Sequence, residues 1–319
     1  MDIFNPEYPD PGDTGVVVAV SKYLLSPDWQ MPRNLRFTGA ADQVITPMLR
    51  LGVVYNYMRR EDIGRGLNLN APVDGVRPDP TFSNVIEAVS DASARQHTIG
   101  FNYQIGALPS PVLPPNAPKI DWRRAFFLGQ YTYGVWHNNF EGQFSPPASG
   151  TLATEWAPTA SDATHRLNFT LISQTLKNLQ AQLGLNTASA LPYTIRTGSD
   201  ENGDLIFNDR PDGLGRNTAR GLAQWTLNAS VNYSLQFGKR GGALPPGIRI
   251  INLNGAPQVD TVSINNQPRF RVGVYLQAQN LTNHYNYGGF QGGMLSPFFG
   301  QPTLVINPRK VDMGLQFNF

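Results

Sequence analysis

Residues 223–237 read AQWTLNASVNYSLQF, and this stretch decides the fold. Every odd-numbered position holds an apolar or aromatic side chain, and every even-numbered position holds Gln, Thr, Asn or Ser. Successive side chains of a strand point to opposite faces, whereas a helix would mix the two sets around its circumference. The stretch therefore predicts a long β-strand with one apolar face and one polar face.

The same alternation recurs along most of the chain. It is clear in MLRLGVVYNYM (48–58), RQHTIGFNYQI (95–105), HRLNFTLISQTL (165–176) and PRFRVGVYLQAQNL (268–281), and looser in AFFLGQYTYGVW (125–136). No segment predicts a convincing helix, and LKNLQAQLGLN (176–186) is interpreted as strand. We predict strands at about 33–41, 45–59, 95–106, 122–136, 163–176, 179–197, 221–238, 268–282 and 305–319, with weaker candidates at 15–25 and 84–90.

Strand length and the polar face together indicate a membrane protein. Strands of soluble sheets usually have about 5–6 residues, whereas a tilted strand needs roughly 9–11 to cross a bilayer. The polar faces carry Gln, Asn, Ser and Thr rather than the Lys and Glu of a soluble sandwich. An aqueous interior and an apolar exterior produce this pattern, and only a closed sheet satisfies its backbone in lipid. We predict an all-β fold, a transmembrane antiparallel β-barrel of which this chain supplies about 9–11 strands.

Composition agrees with this fold class and excludes several functions. Charged residues make up 15% of the chain, below the roughly 25% of an average soluble domain, and there are 31 glycines and 26 prolines. A mean hydropathy of −0.29 is no objection, because alternation hides apolar strands from an average. A net charge of +2 without a Lys/Arg run gives no reason to expect nucleic acid binding. The absence of cysteine excludes disulfides, thiolate catalysis and Cys-based zinc sites.

Targeting signals are not evident in the sequence. No run of 18 apolar residues encodes a transmembrane helix, and MDIFNPEYPDPGDTG at the N-terminus has no signal-peptide pattern. If the protein is exported, we expect its export signal upstream of this sequence.

The connections between predicted strands differ in length. Two are short, at 42–44 and 177–178, and two Pro- and Gly-rich ones, at 107–121 and 239–267, are interpreted as flexible excursions. Outer-membrane barrels place long loops outside the cell and short turns in the periplasm. With the C-terminus in the periplasm, the extracellular loops are predicted at 60–94, 137–162, 198–220 and 283–304.

The last nine residues, VDMGLQFNF, alternate perfectly and end on an aromatic side chain. Such an ending is typical of the strand that closes an outer-membrane barrel. The alternative is an ordinary edge strand that happens to finish the chain.

Four stretches resemble a known family. They are RGLNLNAPVDGVRPDPTFSNV (65–85), YTIRTGSDENGDLIFNDRPDGLGRNTARG (193–221), QAQNLTNHYNYGGFQGGMLSPFFGQPT (277–303) and the terminal PRKVDMGLQFNF (308–319). The chain resembles the C-terminal barrel portion of TonB-dependent outer-membrane receptors, in particular the Oar-like branch with a carboxypeptidase-regulatory-like N-terminal domain. The second and third stretches are long and fairly specific, whereas the terminal strand is generic.

The resemblance implies a larger protein than this sequence contains. Family members have a 22-stranded barrel, a plug domain, a TonB box and a signal peptide. We therefore expect residues 1–32 to be an N-terminal loop or linker with a possible strand, and residues 33–319 to be the C-terminal segment of the barrel. The alternative is that these strands close into a small barrel of their own.

The implied function is energised uptake across the outer membrane of a Gram-negative-type bacterium. This chain would supply barrel wall and extracellular loops. Its expected partners are outer-membrane lipid, the barrel assembly machinery through the strand ending at Phe319, and a transported ligand that the sequence does not identify. The TonB complex would be reached only through an N-terminal plug. Rival readings are a passive porin-like barrel and an all-β surface adhesin or binding protein.

One acidic stretch, DENGDLIFND, is the best metal candidate. Asp200, Asn202, Asp204 and Asp209 offer oxygen ligands of the kind that calcium prefers. The EF-hand pattern fails, because its sixth position is Leu205 and its twelfth is Pro211. The alternative is a solvated loop built on Asn-Gly and Asp-Gly turns, with no cofactor.

Candidate ligand contacts lie in the last long loop. Exposed aromatic rings stack on sugars or peptides, or else pack the loop on itself or sit at the membrane interface. The candidate residues are Tyr285, Tyr287, Phe290, Phe298 and Phe299. The four histidines are scattered without metal spacing and no G-x-S-x-G motif occurs, so we expect no enzymatic activity.

Overall fold

The structure is a computed structural model that describes residues 20–106, 117–239, 247–253, 256–262 and 268–319. In these residues every regular element is a β-strand, except for one short 3-10 helix at Leu152–Thr154. The described part of the chain contains no helix that is long and apolar enough to cross a membrane.

The strands are numbered in chain order. They are β1 (Val20–Leu25), β2 (Arg33–Thr46), β3 (Leu49–Asn68), β4 (Phe82–Ile105), β5 (Ala125–Asn138), β6 (Ala157–Pro158), β7 (His165–Ser173), β8 (Leu179–Ala188), β9 (Pro192–Tyr193), β10 (Ala219–Arg220), β11 (Gln224–Lys239), β12 (Gly247–Leu253), β13 (Ala256–Val262), β14 (Pro268–Gln279), β15 (Asn286–Phe290), β16 (Pro302–Ile306) and β17 (Lys310–Asn318).

Nine strands form the main sheet as an antiparallel meander, in the spatial order β2-β3-β4-β5-β7-β8-β11-β14-β17. Strand β6 extends this sheet beside β5, and β1 pairs in parallel with the first part of β4, where β5 does not reach. Among the described residues β2 and β17 do not pair with each other. The sheet is therefore open, with one edge at each of these strands.

The register separates an apolar face from a polar face, as the sequence predicts. Val231, Leu276 and Met313 stand directly opposite one another on β11, β14 and β17, so they share one face. They are 40%, 49% and 82% exposed, and many other large apolar side chains of the sheet are also exposed. Few apolar residues are buried, and most of those are alanines. The apolar surface is thus displayed outward instead of being gathered into a central core.

Several predicted strands agree with the structure to within a few residues. The strand predicted from residues 223–237 is β11, and LKNLQAQLGLN (176–186) covers the turn at 177–178 and most of β8. The short turn predicted at 177–178 is confirmed. The weak candidate at 84–90 is part of β4 and that at 15–25 overlaps β1, although residues 15–19 lie outside the described part.

The loop predicted at 60–94 is wrong. Strand β3 continues to Asn68 and β4 begins at Phe82, so the connection is only 69–81. Charged residues interrupt the alternation here, and the pairing is irregular between Arg60 and Ile63, with Asp62 at a φ of 57°. A bulge keeps two strands paired while it disrupts the period of two from which the strands were predicted.

The short turn predicted at 42–44 is also wrong, because β2 runs to Thr46 and the turn lies at 47–48. Asp42 belongs to the paired strand, and its carboxylate occupies the space that a Cβ on Gly52 would need. Because Gly52 has no side chain, the neighbouring strand can place the Asp42 carboxylate beside it.

Two further boundaries differ from prediction. The strand predicted at 305–319 is divided by residues 307–309, so that β16 pairs with β15 whereas β17 pairs with β14. Asn307 has a φ of 54°, which turns the chain between the two strands. The connection at 239–267, interpreted from the sequence as a flexible excursion, contains a hairpin of β12 and β13 in its described residues. Much of the excursion predicted at 107–121 lies outside the described part.

Candidate functional site

The four long connections of the main sheet meet at one end. We name them L1 (69–81), L2 (139–164), L3 (189–223) and L4 (280–309). Arg77 of L1 donates from Nη2 to the carbonyl of Gly203 in L3 at 2.7 Å. Further bonds join L3 to Pro146 of L2 and to Gly292 of L4. L3 therefore contacts the other three loops, which together form a single cluster over one end of the sheet.

Arginines of L3 fix L2 through a buried carboxylate. Arg210 forms two hydrogen bonds with the carboxylate of Glu155, and Arg216 Nε lies 3.7 Å from Glu155 Oε2. Arg216 also donates from Nη2 to the backbone carbonyl of Asn138 at the end of β5. Burial lowers the pKa of Arg216, against the opposing attraction of Glu141 and Glu155. A charge removed from water in this way depends on its partners, so the cluster holds the two loops in one arrangement.

A second carboxylate joins the same loops nearer the sheet. Asp162 accepts from the backbone N–H of Trp136 at 3.0 Å and from Nη2 of Arg220 at 3.1 Å. The Asp162 side chain is only 4% exposed. It therefore links the end of β5 to β10 and closes the base of the loop cluster.

A cavity of about 420 Å³ lies between this cluster and the first strands. Its walls come from β1, β4, L2 and L3. On its polar side, Arg196 Nη2 donates to Glu141 Oε2 at 3.1 Å. On its aromatic side, the rings of Tyr23 and Phe144 meet edge to face at 5.5 Å. The remaining lining residues are Ser21, Asn84, Ile86, Ser145, Pro146, Leu205, Ile206, Phe207 and Asn208.

The cavity places aromatic rings beside hydrogen-bonding groups. Tyr23 and Phe144 are 62% and 46% exposed, so their rings are available to a ligand. The Arg196–Glu141 pair offers donors and an acceptor side by side with little net charge. Aromatic surface next to a few fixed polar groups is what small-molecule sites present. The arrangement can hold a polar ligand by stacking and hydrogen bonding.

Sequence reasoning missed the residues of this cavity. Tyr23, Asn84, Glu141 and Arg196 come from four segments separated by about 55 to more than 60 positions, and none lies in a motif. No local pattern could have found them, because only the folding of L2 and L3 back over the sheet brings them together.

The predicted aromatic residues of L4 divide into two groups. Phe290 stacks on Tyr193 of L3 with centroids 5.5 Å apart, and Tyr285 stacks on Tyr287 at 6.4 Å. Phe298 and Phe299 lie at the tip of the loop and are 67% and 41% exposed. The structure therefore brings some of the five into loop packing and leaves others free. Ligand binding by these residues stays a prediction.

The predicted metal residues lie together in L3, where their oxygens accept backbone N–H groups. Asp200 accepts from Asp204 N and Leu205 N, at 3.0 and 2.9 Å, and Asn202 also accepts from Asp204 N. Asp204 accepts from Ile206 N at 2.7 Å, and Asp209 accepts from the Glu201 N–H at 2.8 Å. These are the bonds that the turn interpretation predicts. Burial raises the pKa of the Asp204 carboxyl.

No group of three or more His, Asp or Glu side chains among the described residues is arranged to hold a metal ion. Calcium binding at Asp200, Asn202, Asp204 and Asp209 stays a prediction.

Comparison with known proteins gives a likeness of fold. No protein-family model matches the chain, and no curated protein matches its sequence. Among solved structures, the outer membrane transporter YddB from Escherichia coli superposes with a TM-score of 0.54 at 12% identity, covering 94% of this chain. The FrpB iron transporter from Neisseria meningitidis gives 0.46 at 10% identity, covering 93% of this chain. The chain spans 34% of YddB and 32% of FrpB, about a third of the length of each.

The chain thus has the fold of part of an outer-membrane transporter barrel. The likeness to YddB confirms the predicted all-β, antiparallel barrel architecture, with nine strands in the main path and eleven when β1 and β6 are included. The descriptions of YddB and FrpB as transporters concern those two proteins, and the expectation that this chain is not an enzyme stays a prediction. At 12% identity the likeness concerns fold alone.

Proposed function

We propose that this chain is the wall and loop segment of a TonB-dependent receptor of the outer membrane, in the Oar-like branch. The observation that carries the proposal is the open antiparallel sheet, which displays its apolar face outward and carries four long loops clustered at one end. The superposition on a third of YddB supports it, because an open sheet is what a segment of a larger barrel would have.

In this proposal the apolar face meets outer-membrane lipid and the polar face lines the lumen. Residues 33–319 form the barrel segment, preceded by a loop or linker at 1–32 that contains the strand β1. Open edges cannot remain unpaired in a bilayer, so β2 and β17 would each pair with strands of the rest of the barrel. Phe319, which follows β17 and is 93% exposed, would be presented to the barrel assembly machinery.

The loop cluster would bind the substrate at the mouth of the barrel. L2 passes close to β3, since a Cβ on Gly66 would meet the backbone of Phe144. In this proposal the cavity beside Phe144 lies at the mouth of the barrel, where a ligand arriving from outside would be held. Energised release would then act through a plug coupled to TonB, with this chain as the static wall.

Barrel closure separates this proposal from a passive porin. The chain alone is folded into detergent micelles, and its gel migration is compared with and without heating, together with conductance in liposomes. A receptor segment is expected to show no heat-dependent shift and no conductance, because its edges lack their partners. A shifted, conducting species would mean that the chain closes by itself and would support the porin. A water-soluble monomer without detergent would support the surface binding protein instead.

A further inference from the structure

The apolar face changes composition in an ordered way toward the loop end. Residues that stand directly opposite one another across strands form rows on this face. The row of Val53, Phe101, Tyr131 and Leu167 is apolar and aromatic. The next row toward the loops is Tyr55, Ile99, Tyr133 and His165, and beyond it lie Tyr57, His97 and Val135.

Arginines occupy the following row. Arg59 of β3 stands directly opposite Arg95 of β4, and Arg95 stands opposite His137 of β5. Two like charges directly across a pair of strands destabilise a sheet unless something compensates them. Glu61 forms an ion pair with Arg59. Arg95 has no carboxylate partner among the described side chains, and its guanidinium lies 5.7 Å from the ring centre of Trp156.

The histidines belong to this boundary. The sequence left four of them scattered, but each lies against an aromatic ring near the loop end of the strands. His97 is 4.9 Å from Tyr57 and accepts or donates a bond with Tyr55 Oη at 2.9 Å. His137 stacks on Trp156 at 6.3 Å. The remaining pairs are His165 with Tyr133 and His284 with Trp225.

This order of rows matches the layers of a bilayer. Aliphatic side chains suit the hydrocarbon, Tyr and Trp rings suit the interface, and arginine side chains attract anionic headgroups just beyond it. The spacing is also suitable, because two residues along a strand advance roughly 6.6 Å. From Val53 to Arg59 the face therefore moves from hydrocarbon to headgroup within roughly 20 Å.

We propose that Arg59 and Arg95, framed by Tyr57, His97, His137 and Trp156, bind the phosphate of a lipid headgroup at the loop-side boundary of the membrane. We call these six residues the boundary patch. The inference rests on the proposed membrane location of the apolar face. Arg59 already pairs with Glu61, whereas Arg95 has no carboxylate partner among the described side chains, so an anion beside the two arginines would supply the missing counter-charge. The Trp156 ring, 43% exposed, lies against the Arg95 guanidinium.

The test compares lipids that differ in headgroup. The full-length native protein is purified in a non-ionic detergent and titrated with phosphatidic acid, which carries an exposed phosphate, and with phosphatidylcholine. We expect binding of phosphatidic acid to weaken about fivefold in Arg95→Ala and again in the Arg59→Ala/Arg95→Ala double variant. Arg95→Lys should retain binding, since it keeps the charge. Retained binding in this variant would show that the loss in Arg95→Ala is not caused by misfolding.

Arg50 supplies the matched control. It lies on β3 like Arg59, but at an even-numbered position, and therefore on the polar face. Arg50→Ala should leave phosphatidic acid binding unchanged. Equal losses in Arg50→Ala and Arg95→Ala would overturn the proposal, because the attraction would then follow net charge alone. The proposal would also be overturned if inorganic phosphate displaced phosphatidic acid at the concentration at which phosphatidic acid itself binds.

An independent measurement of membrane location distinguishes a failure of the boundary patch from a failure of the proposed function. Tryptophan fluorescence is measured with lipids brominated on their acyl chains, which quench only residues in contact with hydrocarbon. Quenching without preference for phosphatidic acid would leave the membrane location standing and refute the boundary patch. No quenching by either lipid would refute the membrane location itself.

Discussion

Arg216 Nε lies 3.7 Å from Glu155 Oε2, with 3% and 4% of the two side-chain surfaces exposed. They are 61 residues apart in the chain and belong to different loops, yet neither charge has water to stabilise it. Arg210 shares the same carboxylate. The loop cluster is therefore held by buried charge, which makes its integrity sensitive to single substitutions.

Glu155→Gln should open L2 and L3. The substitution leaves Arg210 and Arg216 buried without a carboxylate, and breaking a buried pair costs about 3–5 kcal/mol. We expect the free energy of local opening, measured by hydrogen exchange of backbone amides at 139–164, to fall by about this amount. Glu201→Gln in the exposed part of L3 is the control. A loss below about 1 kcal/mol, the value for an exposed pair, would contradict the role of the cluster.

Asp204→Asn should remove a pH dependence of L3. Burial holds the pKa of Asp204 above its ordinary 3.8, so the folded loop binds the proton more tightly than the open loop. The resulting stabilisation is present at pH below 3.8 and is lost as the pH rises through the raised pKa. Asn keeps an oxygen for the Ile206 N–H but does not titrate. Exchange of the Ile206 amide, corrected for its intrinsic rate, should depend on pH in the wild type and lose that part of the dependence in the variant.

The same variant tests the calcium interpretation. If the acidic residues only form turns, calcium chloride should leave amide exchange in L3 unchanged in both proteins. Protection that rises with calcium in the wild type and fails to rise in Asp204→Asn would instead establish a calcium site at this loop.

Gly292→Ala should separate L4 from L3. A Cβ at this position would lie 1.9 Å from the carbonyl oxygen of Thr194, and overpacking of this kind costs about 1–3 kcal/mol. The hydrogen bond from Arg196 N to Gly292 O, 2.8 Å long, would be lost. Faster exchange of the Arg196 amide is the expected signal. Gly215→Ala, whose Cβ meets only Thr218 at 3.5 Å, should not produce it.

Phe290→Ala and Phe298→Ala should have opposite effects. Phe290 stacks on Tyr193 and fills the space over Gly221, so its loss should destabilise the L3–L4 contact by at least the roughly 0.5–1.5 kcal/mol of an aromatic pair. Phe298 is 67% exposed and its removal should leave amide exchange unchanged. If Phe298 binds ligand, its variant should lose ligand affinity while keeping loop stability. Equal destabilisation by both variants would show that the tip also packs.

Most of the sheet could be predicted because its signal is local. A strand with one face toward an apolar environment and the other toward a polar one must alternate apolar and polar side chains. Residues such as Trp225, Leu227 and Ala229 therefore indicate the face on which they lie. The strand prediction failed where the two faces of a strand no longer meet different environments. Beyond the apolar band both faces meet water or loops, so β3 between residues 60 and 68 carries charged residues on both faces. Its sequence pattern therefore predicts a loop, although the strand remains paired.

The candidate site was only partly predictable, because its elements come from different loops. The acidic and aromatic residues were visible as clusters in sequence, but their roles were not. Asp204 is buried beneath bonds to its own loop, and Phe290 packs on a residue almost 100 positions earlier. Nothing in the sequence distinguishes Arg95 from other charged residues, and only the strand register places it opposite Arg59.

The sequence by itself determined most of the strands, their two faces and the class of fold, since hydrophobic periodicity reflects the direction of each side chain along one strand. The tertiary structure decided which residues meet across strands and loops. It placed Arg59 against Arg95, Arg216 against Glu155, and Tyr23 against Phe144. These contacts depend on register and on the path of long loops, which are fixed by many distant interactions at once and leave no mark on any single stretch of the chain.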